Sequence, residues 1–256
     1  MIYIKSEKEI EKIRIACQIV AKCHDAVAKE IKAGMSTMDI ENIVMNVIKE
    51  NGGIASCVGV EGFDGAKPYP CATCISINDE VIHGIPSKDR IIKNGDIVSI
   101  DLCAGKDGYH GDAARTYIIG DVNPRLKELV AVTEQAFYEG IKYAKVGYRI
   151  SDISHAIGEY VQSCGFDVIR EFQGHGVGRS IHEDPGIPNY GKPGRGARLE
   201  PGMTLAIEPM VVAGFPEIYI GDDGWTVYTE DGKYAAHYEN TILITKNEPE
   251  ILTKLI

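Results

Sequence analysis

The chain has 256 residues, with 37 Asp and Glu against 27 Lys and Arg, for a formal net charge of −10. Its 44% hydrophobic and 25% charged residues exclude global disorder and suit one large domain or two fused halves. The acid surplus argues against nucleic acid or anionic lipid as a partner, and no apolar run approaches the ~20 residues that span a bilayer.

The first stretch, MIYIKSEKEIEKIR, is charged within five residues and has no apolar signal core. The mature chain is therefore expected to begin here and to act in the cytoplasm. Ser6 and Glu9 form a capping box that opens a helix running to about Lys32. Ile10, Ile13, Cys17, Val20, Val27 and Ile31 recur along it at helical spacing, and Gly34 ends it. A second helix begins after Ser36 or Thr37 and stops at Asn51-Gly52-Gly53. Residues 97–103 and 109–119 flank Ala104–Gly108 and read as a hairpin. A third helix starts at Asn123-Pro124 and runs to about Lys145, and a fourth spans Ser151 to Gly165. Seven cysteines, an odd number with no signal peptide, do not suggest a disulfide framework. Cys71 and Cys74 form a lone C-x-x-C without the second pair a zinc site needs, so two thiols near a pocket wall is the simpler reading.

The second and fourth helices echo each other. A shift of 113 residues aligns Lys32 with Lys145, Gly34 with Gly147, Asp39 with Asp152 and Gly52 with Gly165, together with three apolar pairs. A second echo follows: Asn94–Asp101 matches Pro201–Glu208, each a glycine-containing turn, a buried-strand pattern and one carboxylate. These repeats imply an α+β domain spanning 1–256, with one half at about 7–120 and the other at about 121–256. Helices would cover one face of a curved, mostly antiparallel sheet. Asp121–Pro124 is only a turn, so the halves are expected to share one core.

Four acids sit where acids are costly. Asp101 ends the apolar strand IVSID and Glu208 lies inside TLAIEPMVV. Desolvating a lone carboxylate costs several kcal/mol, so such groups are paired or metal-bound. If the hairpin turn centres between Lys106 and Asp107, Asp112 lies directly opposite Asp101. Two facing carboxylates need a cation between them; an Arg115 partner or exposure at a sheet edge is the structural alternative. Glu239, in YAAHYENTILIT, is the fourth acid. In the duplicated scheme Asp101 corresponds to Glu208 and Asp112 to Glu239, so a pseudo-twofold axis would bring all four together. That charge suits two divalent cations bridged by shared carboxylates. Each half also supplies a His-Gly unit, His83 in VIHGIP and His175 in GHGVGR, and His182 follows in SIHEDP. His24 and His155 fall on helices and read as structural. His110 and His237 lie near the acids in sequence and are candidates for supporting roles.

These residues resemble a known family. Asp101, Asp112, His175 in GHGVGR, Glu208 in AIEPM and Glu239 in YENT match the metal set of the methionine aminopeptidases, bacterial type I, of the pita-bread (creatinase/aminopeptidase-like) fold. His83 in HGIP and His182 in IHEDP match that family's two substrate-facing histidines. The likeness covers about residues 5–253. It implies a metal-dependent hydrolase that removes the initiator methionine from nascent proteins, preferentially when the next residue is small. Asp101 and Asp112 would hold one ion; Asp112, His175, Glu208 and Glu239 the other, with Asp112 and Glu239 shared. Glu208 would also carry the proton between water and leaving amine, His182 would stabilise the oxyanion, and His83 would contact the substrate backbone. Cys57, Phe63, Cys74, Ile181 and Trp225 are the candidate walls of the methionine pocket.

The implied cofactors are two divalent ions (Mn, Fe, Co or Zn), with a monovalent cation as a further candidate. The implied partner is the N-terminal peptide of a nascent chain, with association with the ribosome as an open expectation, a monomeric state, and no nucleic acid or membrane bound directly. The alternatives are a proline-specific dipeptidase or aminopeptidase of the same fold, whose members usually carry an extra N-terminal domain, and a non-catalytic binding protein on this fold.

Overall fold

A computed structural model of the chain describes residues 1–62 and 65–255. Among the described residues there are four α-helices: α1 (Glu7–Glu30), α2 (Thr37–Glu50), α3 (Pro124–Ile141) and α4 (Ile150–Ser163). The strands before α3 are β1 (Ile54–Ala55), β2 (Thr73–Ile77), β3 (Glu80–Ile82), β4 (Ile97–Lys106) and β5 (Tyr109–Ile118). After α4 come β6 (Asp167–Val168), β7 (Gly174–Gly176), β8 (Glu183–Ile187), β9 (Thr204–Ile207), β10 (Met210–Val212) and β11 (Ile218–Ile220). The chain closes with β12 (Val227–Thr229), β13 (Ala235–His237), β14 (Asn240–Leu243) and β15 (Glu250–Ile251). All described strand pairs are antiparallel, and the helices pack against the sheets, as an α+β fold of this type requires.

The repeat in the sequence is a repeat in hydrogen bonding. Asp39 caps α2 by accepting from Ser36 N at 2.8 Å, and Asp152 accepts from Arg149 N at 2.7 Å. The aligned aspartates therefore do the same work, satisfying a backbone donor at a helix start. Beyond the caps, Thr37 N donates to Arg90 O as Ile150 N donates to Ala197 O. Likewise Ile92 N donates to Met35 O and Leu199 N to Tyr148 O. Gly34 and Gly147 adopt φ of 94° and 100°, a conformation that favours glycine.

Two expectations need correction. The third helix ends at Ile141 rather than near Lys145, because residues 142–147 turn before α4. The β4–β5 hairpin pairs Lys106 with Tyr109, so its two-residue turn is Asp107-Gly108, with φ of 51° and 79°. Asp-Gly with two positive φ values is the turn whose twist matches a tight hairpin. The register thus lies two residues from the one anticipated: Asp101 faces Ala114, and Asp112 faces Cys103. A slip of two preserves the face, so both acids still project to the same side as diagonal neighbours.

The interior divides between two main apolar clusters. One joins α1 and α2 to β2, β4 and β5 through residues such as Val20, Val44 and Ile100. The other joins α3 and α4 to β9, β10 and β14 through Phe137, Ile157 and Leu205. At α3, Gly140 permits the close approach of α4: a Cβ there would stand 2.8 Å from Ile157 Cγ1.

Candidate metal centre and substrate cavity

The site is built where strands of the two units meet. Cys74 on β2 faces Asp101 on β4, which faces Ala114 on β5. Ala114 in turn exchanges backbone hydrogen bonds with Glu239. A second row runs alongside: Asp112 N donates to Thr241 Oγ1 at 2.9 Å, Thr241 faces Ala206 on β9, and Ala206 faces His175 on β7. Glu208 follows β9 directly. Side chains alternate along strands, so these registers place the carboxylates and His175 on one face.

His175 lies between glycines for a steric reason. A Cβ at Gly174 would meet Ala206 O at 2.5 Å, and one at Gly176 would meet Asp184 O at 2.3 Å. The imidazole is fixed by Nδ1 donating to Gly176 O at 2.9 Å. A carbonyl can only accept, so in the neutral ring the proton resides on Nδ1 and the Nε2 lone pair is free. Nε2 stands 3.3 Å from Glu208 Oε1 and 4.0 Å from Asp112 Oδ2. Burial, and then the charge of His182, lower the His175 pKa to about 4, so the ring is neutral at pH 7.

The carboxylates are strongly perturbed. Burial raises Asp101 to about 7, against a hydrogen bond with Asp112 that lowers it. Burial first, and then the Asp101 charge, push Asp112 well above the carboxylate range. Burial and the neighbouring acids push Glu208 and Glu239 in the same direction. Asp112, His175 and Glu239 each offer a ligand atom within 4.8 Å of one another, and so do Glu208, His237 and Glu239. Asp112 Oδ1 and Glu239 Oε1 are buried without a hydrogen-bond partner. Orphaned carboxylate oxygens beside a free imidazole lone pair are the donor set of a divalent cation, and the residues fit one. Asp101 lines the same cavity but belongs to neither of the two tight groups.

Arg115 does not neutralise Asp112. It projects to the other side, donating to the carbonyls of Ala114 and Glu239 and to Asn240 Oδ1, with its guanidinium 4.5 Å over the Tyr238 ring. The arginine alternative therefore fails, and sheet-edge exposure fails too, since Asp112 is buried.

A cavity of about 730 Å³ opens over the acids. His83, His175 and His182 line it, and the His175 and His182 rings meet edge to face at 4.6 Å. Burial lowers His83 to about 4. Cys57, Cys74, Ile181 and Trp225 are also in the wall, while Phe63 lies outside the described residues. Trp225 both packs and lines: its ring meets Tyr69 at 4.9 Å, and its Nε1 donates to Lys67 O at 2.8 Å. The C-x-x-C divides, with Cys74 in the cavity wall and Cys71 outside it.

His237 is closer to the centre than its sequence position shows. It is buried, with Nε2 3.7 Å from Glu208 Oε2. Its place two residues before Glu239 was a weak signal, since only pairing of β13 with β10 turns it toward Glu208. His24 is structural as expected, bonded to Ala113 O and Tyr117 Oη. His110 bonds Ser56 Oγ at 2.8 Å and is not part of the candidate groups.

A fold that gathers four carboxylates and an imidazole at the floor of a substrate-sized cavity defines a metallohydrolase. The model of metallopeptidase family M24 matches residues 11–246, and the chain belongs to that family. It is 48% identical to the methionine aminopeptidase of Clostridium acetobutylicum, over 99% of each chain. It superposes on the crystal structure of the Thermotoga maritima methionine aminopeptidase with a TM-score of 0.94, at 49% identity, covering 99% of this chain and 100% of that one. The prolidase of Pyrococcus furiosus is more distant, with a TM-score of 0.76 and 29% identity, and this chain covers 66% of it. Among the described residues no helix is long and apolar enough to cross a membrane.

Proposed function

We propose that the protein is a methionine aminopeptidase, removing the N-terminal methionine of nascent chains in the cytoplasm when the next residue is small. The observation that carries this reading is the joining of an apolar, thiol-lined wall to the carboxylate–imidazole floor in one cavity. Cysteine, isoleucine and tryptophan suit an unbranched thioether, and the likeness to methionine aminopeptidases over the full chain supports the same substrate.

Asp101, Asp112, His175, Glu208 and Glu239 would hold two divalent ions, Asp112 and Glu239 being shared. Two such ions supply Lewis acidity and allow water to ionise near neutral pH. Glu208 takes the proton from water and returns it to the leaving amine. His182, at the cavity mouth, donates a hydrogen bond to the oxygen on which negative charge develops. His83 holds the peptide backbone, and the wall of Cys57, Cys74, Ile181 and Trp225 receives the methionine side chain.

The test is hydrolysis of the tripeptide Met-Ala-Ser and of an Xaa-Pro dipeptide, with Mn, Fe, Co or Zn and with chelator. Release of Met from the first alone, abolished by chelator, is the expected result. Preferential cleavage of Xaa-Pro supports the prolidase reading, and no cleavage with any metal supports the non-catalytic one.

A further inference from the structure

The turn that carries His182 is fastened from far away in the chain. Lys5 Nζ donates to Glu183 Oε2 at 2.6 Å, and the two side chains are only 1% and 3% exposed. The other Glu183 oxygen, Oε1, accepts from Arg179 N at 2.6 Å and from Ser180 N at 3.1 Å. One carboxylate thus closes the loop 179–183 on itself and ties it to the N-terminal segment. That segment is held in turn by Lys5 N donating to Gly202 O at 2.9 Å, at the entrance to β9. Gly178 leaves room for the lysine stem, since a Cβ there would lie 2.8 Å from Lys5 Cε. On the other side Glu183 begins β8, facing Gly176 next to His175. His182 sits between these anchors, and its ring reaches His175.

We propose that Lys5 is a positioning residue that acts through Glu183 to aim the His182 imidazole into the cavity. The inference rests on the role assigned to His182 above. Removing Lys5 leaves a buried carboxylate without its counter-charge, and a turn held by that carboxylate rearranges to regain water. A displacement of about 1 Å at an oxyanion donor is enough to lower turnover about a hundredfold.

The experiment compares Lys5→Met, Lys5→Arg, Glu183→Gln and His182→Ala in the metal-loaded protein, with and without His182→Ala as background. Lys5→Met is expected to lower kcat for Met-Ala-Ser about 10- to 100-fold with little change in KM, and Lys5→Arg to restore most of it. Glu183→Gln, which keeps the shape and removes the charge, is expected to fall between them. In the His182→Ala background, Lys5→Met is expected to cost no more than about threefold, because its route to the reaction is already cut. A second readout needs no turnover: in the ¹⁵N-histidine spectrum of the metal-free protein, the His182 signal shifts or broadens in Lys5→Met and not in Lys5→Arg. Multiplicative losses in the double variant, or an unchanged His182 signal, overturn this proposal alone. Full activity of His182→Ala overturns the role of His182 and this proposal with it.

Discussion

Glu239 and Ala114 exchange a pair of backbone hydrogen bonds, Glu239 N to Ala114 O at 2.9 Å and Ala114 N to Glu239 O at 3.4 Å. This pairing stitches β5, from the first repeat unit, to the short link between β13 and β14 that carries the last acid of the second. It also sets a methyl group between two carboxylates, because Ala114 faces Asp101 on its other side. Ala114 is itself fully buried, so the spacing of Asp101 and Glu239 is set by the small residue between them.

Ala114→Val puts two extra carbons between those acids. Valine favours strands, so the sheet is expected to persist, with an overpacking cost of about 1–3 kcal/mol. Metal content by mass spectrometry is expected to fall by at least one ion per chain, with loss of Met release. Full metal occupancy in a folded Ala114→Val protein would show that the ions lie elsewhere.

The acids make the metal-free protein sensitive to alkali. Free carboxyls ionise near about pH 4, whereas burial raises Asp101 to about 7 and pushes Asp112, Glu208 and Glu239 well up. Between those limits these four acids bind more protons in the folded chain than in the unfolded one. Their contribution to stability therefore falls as pH rises from about 4 to about 7, while His83 and His175, held down at about 4, act in the opposite sense until unfolded histidine loses its proton at about pH 6.5. Divalent ions bind the deprotonated acids and reverse the trend. Calorimetry in chelator and in excess Mn should give melting temperatures that diverge as pH rises; parallel curves would contradict the assignment.

His182→Ala is expected to lower kcat by about 10²- to 10³-fold with KM nearly unchanged, as for loss of one oxyanion donor. His83→Ala should raise KM as well, since His83 holds substrate in both ground and transition states. Steady-state kinetics on Met-Ala-Ser separates the two, and identical effects on kcat and KM would refute the division of roles.

Trp225→Ala removes a buried ring that touches Tyr69 and lines the cavity. A cost of about 3 kcal/mol in unfolding free energy and a raised KM for methionyl peptides are expected. Unchanged KM in a destabilised protein would make Trp225 a packing residue only.

Much of this was legible in the residues. Asp101 and Glu208 stand out because a charge in an apolar strand needs a reason, and Asp39 with Asp152 marked the repeat because caps recur at helix starts. The hairpin register was not legible to within two residues, since Ala104–Gly108 admits several turns and only the positive φ values at Asp107 and Gly108 select one. The place of His237 and the hold of Lys5 on Glu183 depend on contacts between segments far apart in the chain. No local pattern encodes such contacts, and the separation of 178 residues in sequence between Lys5 and Glu183 hides theirs completely.

The most direct test of the central claim is a titration of metal-free protein with Mn, counting bound ions while following Met release from Met-Ala-Ser. Two ions per chain, activity that rises with their binding, and loss of both in Asp101→Asn and His175→Ala are predicted. Full Met release with chelator present, or undiminished activity in Asp101→Asn and His175→Ala, would contradict the account.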